Sequence, residues 1–292
     1  MREIIYAFWW YEENFGDALT PYLLKRLSGK KVIYTCWHRP YFKVEAKRLF
    51  NNITHFKKYD FRRLCWPIKN KPVVIGVGSI LWLSLPNYQI WGSGFLRAKD
   101  TFKGGKIYAV RGKYTAKKLI DLGYPECNVY GDPALLLPLI YKPNKKKEGV
   151  GIVPHYTEYE DFKKKYPVHK IINLNTYNIE KTIDEICSCD YILSTSLHGI
   201  IVAHAYGIPA LWIKKKQLAT DDFKFKDYFS SVNLPEYNGA KFDIDKLLIM
   251  PYYDYPDDIK RLMLPSQKTI NEIQNKLLEA APFEILEQYK NE

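Results

Sequence analysis

At 292 residues the chain is long enough for about two domains, each with its own core, and 47% hydrophobic against 26% charged residues is the balance of a folded globular protein, not a disordered one. Lys+Arg 44 against Asp+Glu 32 leaves a net charge of +12, which favours an anionic partner. The lysines are scattered, with tight runs only at 145–147, 163–165 and 214–216, and no standard nucleic-acid motif is present, so no nucleic acid is expected.

The N-terminal residues 3–8 read as a first strand; the apolar stretch 4–11 is too brief for a signal sequence, and Glu12-Glu13 follow it. Asn14-Phe15-Gly16-Asp17 then leads into an apolar-periodic helix over 17–27. Asp17 is placed either as that helix's N-cap or as a carboxylate in a cleft, and Gly16 permits a tight turn. Further strands are expected at 31–35, 72–77, 88–91, 106–110 and 128–130, with a helix at 115–122 closed by Gly123. The most apolar run, 73–85, is shorter than the ~18 residues of a membrane span and contains Gly76, Gly78 and Ser79.

Polar residues 141–148 read as a linker, after which the alternation restarts: strands at 149–154, 169–173, 191–194 and 209–213, helices at 157–164, 179–187 and 199–206. Ser266 caps a last amphipathic helix over 266–281. The alternation implies an α/β fold with mostly parallel sheets, and in such folds ligands sit at the loops leaving the strand C-termini.

Those loops carry the residues of interest. Gly76-Val77-Gly78-Ser79 and Trp91-Gly92-Ser93-Gly94 are two glycine-serine loops at adjacent strand ends, with backbone N–H groups able to approach an anion. Arg111, at a strand-to-helix junction, has a fork suited to carboxylate or phosphate, or to a surface ion pair. In the second half, Ser194-Thr195-Ser196-Leu197-His198-Gly199 brings hydroxyls, a helix N-terminus and an imidazole to one strand end, where a phosphate could be held and a proton moved. His155 lies at the equivalent switch after the strand at 149–154, or is an exposed loop histidine, and Lys226 is placed to reach back to an anion. Trp9, Trp10 and Tyr11 either line an acceptor subsite or belong to the core. Five cysteines, at 36, 65, 127, 187 and 189, are an odd, dispersed set without disulfide or zinc spacing, and no His/Asp/Glu pattern forms a metal site.

In this order the motifs resemble the polysaccharide pyruvyl transferase family: Asn14 to Asp17, Gly76 to Ser79, Trp91 to Gly94, Val110-Arg111-Gly112, Tyr130-Gly131-Asp132-Pro133, Gly151 to Tyr156, Ser194 to Gly199 and Gly207-Ile208-Pro209. The resemblance implies two Rossmann-like domains facing across a cleft in a GT-B-like arrangement: 1–141 on the acceptor side, 149–265 on the phosphoenolpyruvate side, and a C-terminal helical segment, 266–292. It implies transfer of pyruvate from phosphoenolpyruvate onto two sugar hydroxyls, giving a cyclic ketal in capsule or exopolysaccharide biosynthesis. No cofactor is implied beyond the donor. The acceptor would be a lipid-linked or nucleotide-linked sugar or a polymer, met in the cytoplasm or at the inner membrane face. By position the donor site falls on Arg111 and Ser196-Leu197-His198; some relatives have arginine where Ser196 stands. His198 is then the acid–base, Asp17 takes the proton of the attacking hydroxyl, Arg111 clamps the donor, and Ser194 and Ser196 complete the cradle. Asn14, Gly16, Gly78, Ser79, Gly92, Ser93, His155, Leu197 and Lys226 complete the expected binding set. Two other functions fit the same scaffold: a GT-B-type glycosyltransferase using a nucleotide sugar, and a non-catalytic binder of anionic glycans.

Overall fold

Short β-branched runs bounded by turns form two separate parallel sheets in the computed structural model, which describes residues 4–35, 39–54, 68, 70–143, 148–214 and 221–290. Cys36, Cys65, His38, His55 and the lysine runs 145–147 and 215–216 lie outside the described residues. In chain order the first half contains β1 (Ile4–Phe8), α1 (Phe15–Ser28), β2 (Lys31–Tyr34), α2 (Arg39–Thr54), β3 (Val73–Ile75), β4 (Tyr88–Trp91), β5 (Lys106–Ala109), α3 (Lys113–Asp121) and the short α4 (Leu137–Ile140). Its sheet has the order β2-β1-β3-β4-β5, every pair parallel. The expected strand at 128–130 is a single bridge, Val110 to Tyr130, and helix α2 had no counterpart in the sequence reading.

The second half contains β6 (Val150–Val153), α5 (Tyr159–Lys165), β7 (Lys170–Ile171), α6 (Ile179–Cys187), β8 (Tyr191–Ser194), α7 (Leu197–Ala205) and β9 (Ala210–Trp212), then α8 (Phe223–Ser231), α9 (Ile244–Ile249), α10 (Asp257–Lys260) and α11 (Gln267–Glu279). Its sheet runs β7-β6-β8-β9, again all parallel. Mixed α/β architecture with parallel sheets is therefore as expected.

Both orders have the same consequence. The first strand of each half lies between the second and the third, so chain connections leave in opposite directions at β1/β3 and at β6/β8. A crevice opens beyond the strand C-termini at such a switch point.

Two elements hold the halves together near these points. Helix α7 is apolar apart from His198 and His204: Ile200, Ile201, Val202, Ala203 and Ala205 are all buried, and it packs against both its own sheet and the Pro133–Leu136 turn of the first half. A helix almost wholly apolar is one enclosed on all sides. Helix α11, with the Ser266 hydroxyl accepting from Thr269 N–H, packs back onto the first half: Trp91 Nε1 donates to Leu277 C=O at 2.9 Å and Gln274 Nε2 to Leu135 C=O at 2.7 Å. Cys127, Cys187 and Cys189 are buried thiols. No helix among the described residues is long and apolar enough to cross a membrane.

Candidate active site

Loops from both switch points line one cavity of about 640 Å³. From the first half come Trp10, Glu12, Glu13, Asn14 and Asp17 after β1, and Ser79, Ile80 and Trp82 after β3. From the second come His155 and Tyr156 after β6, Ser196, Leu197 and His198 after β8, and Lys224 from α8.

Asn14, not Asp17, is the cap of α1: its side chain accepts from Gly16 N–H at 2.9 Å and Asp17 N–H at 3.4 Å. Asp17 sits in the first turn and turns its carboxyl to the cavity. Burial and the neighbouring Glu12 push that carboxyl up to about 7, against the pull of Lys224. Gly16 is required for a different reason than a tight turn. A Cβ there would lie 1.9 Å from Nδ1 of His198, so the helix of one half and the imidazole of the other meet at a residue without a side chain.

The glycine-serine loops serve as framework more than as lining. Gly78 and Gly92 adopt positive φ, +119° and +86°, and the Ser93 hydroxyl, fully buried, donates to Gly78 C=O at 2.8 Å. Of this group only Ser79 lines the cavity.

Arg111 departs furthest from expectation. It is 0% exposed and does not line the cavity. Its Nε donates to Asp227 Oδ2 at 2.9 Å, and its two terminal nitrogens reach Ser79 Oγ at 2.5 Å and Phe95 C=O at 2.7 Å. Asp227, on α8, also accepts from Thr115 N–H at 2.8 Å and Thr115 Oγ1 at 2.7 Å. The guanidinium is thus spent on a buried ion pair that fastens α8 to the β5–α3 junction. Gly112 makes the approach possible, since a Cβ there would fall 1.8 Å from Asp227 C=O.

In the second half the hydroxyls divide. Ser194 Oγ is fully buried, within hydrogen-bond distance of Val153 C=O (2.7 Å) and Ser196 C=O (2.8 Å), and accepts from Ser196 N–H. It braces the strand end and offers nothing to a ligand. Thr195 Oγ1 donates to Glu158 Oε2 at 2.6 Å and accepts from His155 N–H at 2.7 Å, fixing the His155 loop. Ser196 occupies the N-cap position of α7, yet its side chain makes no capping bond. Its hydroxyl and the helix N-terminus both border the cavity.

His198, in the first turn of α7, is held neutral: burial above all, then the charges of Lys224, Arg111 and the neighbouring His155, bring its imidazole down to about 3. Its Nε2 is buried without a hydrogen-bond partner. His155, with Nδ1 2.8 Å from Thr157 Oγ1, is brought down to about 4 by burial and by Lys224. His204, one helical turn and a half further on, is a core tie between Tyr228 OH and Met263 C=O.

Lys226 lies outside the cavity, half-exposed and 4.0 Å from Glu236. Lys224, two residues earlier on α8, is the lysine in the site, only 8% exposed. The sequence reading missed it because α8 itself was not recognised, and so neither was its phase. Among the neighbouring aromatic residues, Trp9 and Tyr11 pack around Tyr34, while Trp10 (36% exposed) and Tyr156 (45% exposed) face the cavity mouth. No group of three His, Cys, Asp or Glu side chains able to hold a metal occurs among the described residues.

Two parallel sheets whose switch points share a cavity lined by a carboxyl, two imidazoles and an ammonium define an α/β protein with a charged cavity at its strand ends. The family model for polysaccharide pyruvyl transferase matches residues 14–214, from the Asn14 cap to just past β9, and the chain belongs to that family. It is also similar to "Uncharacterized protein L143" of Acanthamoeba polyphaga mimivirus, 34% identical over 178 residues that cover 57% of this chain and 62% of the viral protein. The chain thus matches about three fifths of that relative's length. Every lining residue from Asn14 to His198 falls within the family match, whereas Lys224 and Asp227 lie beyond it.

Proposed function

We propose that this protein transfers the pyruvyl group of phosphoenolpyruvate onto two hydroxyls of a sugar, forming a cyclic ketal in polysaccharide biosynthesis. The observation that carries the reading is the convergence of Asp17 from the first half with His198, His155 and Lys224 from the second on one cavity, in a chain of this family. In this reading the sheets belong to two Rossmann-like domains arranged as in GT-B enzymes, residues 1–141 presenting the acceptor and 149–265 the donor. The reaction takes place in the cytoplasm, where the donor is made.

The chemistry needs an acid for the methylene carbon of the enol phosphate, a base for the attacking hydroxyl and a cradle for the phosphate. Protonation at C3 leaves cationic character at C2. A sugar hydroxyl adds there and gives up its proton, the C2–O bond to phosphate breaks, and the second hydroxyl closes the ring with loss of its proton. We read these roles in the opposite sense to the sequence reading, in keeping with the displaced pKa values. Asp17, at about 7, retains a proton near neutrality and is the acid, while His198, at about 3, is the neutral imidazole that receives the hydroxyl proton. An entering anion raises both groups, so donor binding primes Asp17 to hold its proton until C3 is in place.

The test is thermal denaturation of the purified protein with phosphoenolpyruvate, inorganic phosphate or uridine diphosphate. A ligand held only by the folded state at a hundred times its Kd adds about 2.7 kcal/mol. Phosphoenolpyruvate should stabilise beyond phosphate, and His198→Ala should abolish turnover without loss of the folded state. Stabilisation by the nucleotide alone would replace this reading with glycosyl transfer.

A further inference from the structure

Helix α3 and the loop beside it carry a charge that the cavity does not use. Residues 97–122 hold eight lysines and arginines against two carboxylates, Asp100 and Asp121, and of the eight only Arg111 is buried, in its ion pair with Asp227. The Asp100 carboxylate is occupied within its own turn, accepting from Leu96 N–H at 3.0 Å and Arg97 N–H at 2.9 Å. The helix turns Thr115, Ala116 and Leu119 inward. With about 3.6 residues per turn, Lys113, Lys117 and Ile120 then share the outward side. Ile120 is 46% exposed and Leu122, just past the last turn, 42%.

The loop extends the same face. Lys118 Nζ donates to Ala98 C=O, and the rings of Phe102 and Tyr124 meet edge-on with centroids 4.6 Å apart. Residues 98–102 therefore lie along the C-terminal half of α3, with Lys99 and Lys103 exposed. One residue before this stretch, Leu96 belongs to the cavity wall, so the face starts at the rim of the cavity. The carboxylates at its border are Asp121 and Glu236, the latter accepting from Tyr114 OH.

We propose that this face docks on an anionic lipid bilayer, its lysines at the headgroup phosphates and Ile120 and Leu122 in the boundary with the acyl chains. Charge alone would suit any polyanion. Exposed aliphatic side chains among lysines suit a surface that is anionic outside and apolar just beneath. Beside a soluble polyanion the same aliphatic groups stay in water and gain nothing. Docking of this kind needs no spanning helix, and none is present among the described residues. A second exposed lysine run, 163–165 on α5, follows Glu160 and Asp161 and pairs Lys165 with Asp245 at 3.0 Å, which makes it the natural control. The docking does not rest on pyruvyl transfer, but a cavity rim held at a bilayer would meet a sugar carried on a membrane lipid directly.

The experiment is co-sedimentation of the full chain with vesicles of phosphatidylcholine, with and without phosphatidylglycerol, at physiological and at high salt. It uses wild type, Lys113→Gln/Lys117→Gln, Ile120→Ser/Leu122→Ser and, on α5, Lys163→Gln/Lys164→Gln, each checked for folding by circular dichroism. Wild type should partition onto the anionic vesicles at least about tenfold more than onto phosphatidylcholine, and less so at high salt. Each α3 pair should lose about tenfold or more of that partitioning, and the α5 pair should match wild type. If the serine pair does not fold, the lysine pair on α3 against the pair on α5 decides. No partitioning of wild type onto anionic vesicles, full partitioning of both α3 variants, or an equal loss in the α5 pair from general attraction to the +12 charge would overturn the proposal. Loss in the α3 lysine pair with none in a folded serine pair would overturn the bilayer in favour of a soluble polyanion. Phosphoenolpyruvate bound by a wild type that ignores vesicles would overturn the docking and leave pyruvyl transfer standing. Vesicle binding that depends on α3, in a protein that does not bind phosphoenolpyruvate, would support the docking and count against pyruvyl transfer.

Discussion

At the scale of single residues, a strong signature in sequence and a place in the cavity wall coincide for some side chains and not for others. His198 and Asp17 were legible because they follow strands and precede helices, where parallel folds place ligands. Arg111 stood out equally, yet burial converts its fork from a ligand clamp into an internal tie, and burial cannot be read from a junction motif. Arg111→Met should therefore cost about 3–5 kcal/mol of stability, since it strands the Asp227 carboxylate, and chemical denaturation would measure it. A folded Arg111→Met with only a raised KM would mark Arg111 as a ligand clamp after all. Asp17 gives a pH-dependent prediction. Its folded pKa, about 7, stands above the unfolded 3.8, so the associated stability is present below about pH 4 and is lost as pH rises through 7. Asp17→Asn should match wild type near pH 4 and exceed it by on the order of 2 kcal/mol at pH 8, while losing activity. Gly16→Ala separates geometry from chemistry. Alanine suits a helical first turn, so the substitution should leave folding nearly intact while displacing His198, and kcat should fall about a hundredfold or more.

Among the secondary-structure elements, the legible ones were those with a strong period and a clear stop. Helix α1, strands β1, β4, β6 and β8, and α11 with its Ser266 cap all fall within two or three residues of expectation. The stretch 128–130 looked like a strand because Val129 and Tyr130 are β-formers, but one bridge is all it makes. Helix α8 was the costly omission. Its Lys224 and Asp227 are three residues apart and share a face, one turned to the cavity and the other to Arg111, while Lys226 projects away. Without the helix, its phase could not separate Lys224, which lines the cavity, from Lys226, which does not. The placement of α8 depends on Gly112, where any Cβ meets the Asp227 backbone. Gly112→Ala should lower the melting temperature and weaken phosphate binding together, because it moves Lys224 with the helix. Loss of stability with unaltered affinity would show that the placement of α8 does not bear on the site.

For the molecule as a whole, parallel α/β architecture followed from the restart of the strand–helix alternation after residue 148. What the alternation could not convey is how one cavity comes to be shared. That depends on α7, almost wholly apolar and enclosed between its sheet and the Pro133–Leu136 turn, and on the ion pair from Arg111 to Asp227. Both are long-range contacts with no local trace in sequence. The +12 charge suits an anionic donor, but within the cavity the local balance matters more: a lysine and a helix N-terminus on one wall, Glu12, Glu13 and Asp17 on the other. Under the proposed pyruvyl transfer, the donor phosphate meets the first wall and the sugar hydroxyls the second. The most direct measurement is carbon-13 NMR of phosphoenolpyruvate labelled at C2, incubated with the protein and a panel of sugar acceptors. The account predicts that the label becomes a ketal carbon attached to the acceptor, in equal amount to the phosphate released. Label remaining in phosphoenolpyruvate, or appearing only as free pyruvate while a nucleotide sugar is consumed, would contradict it.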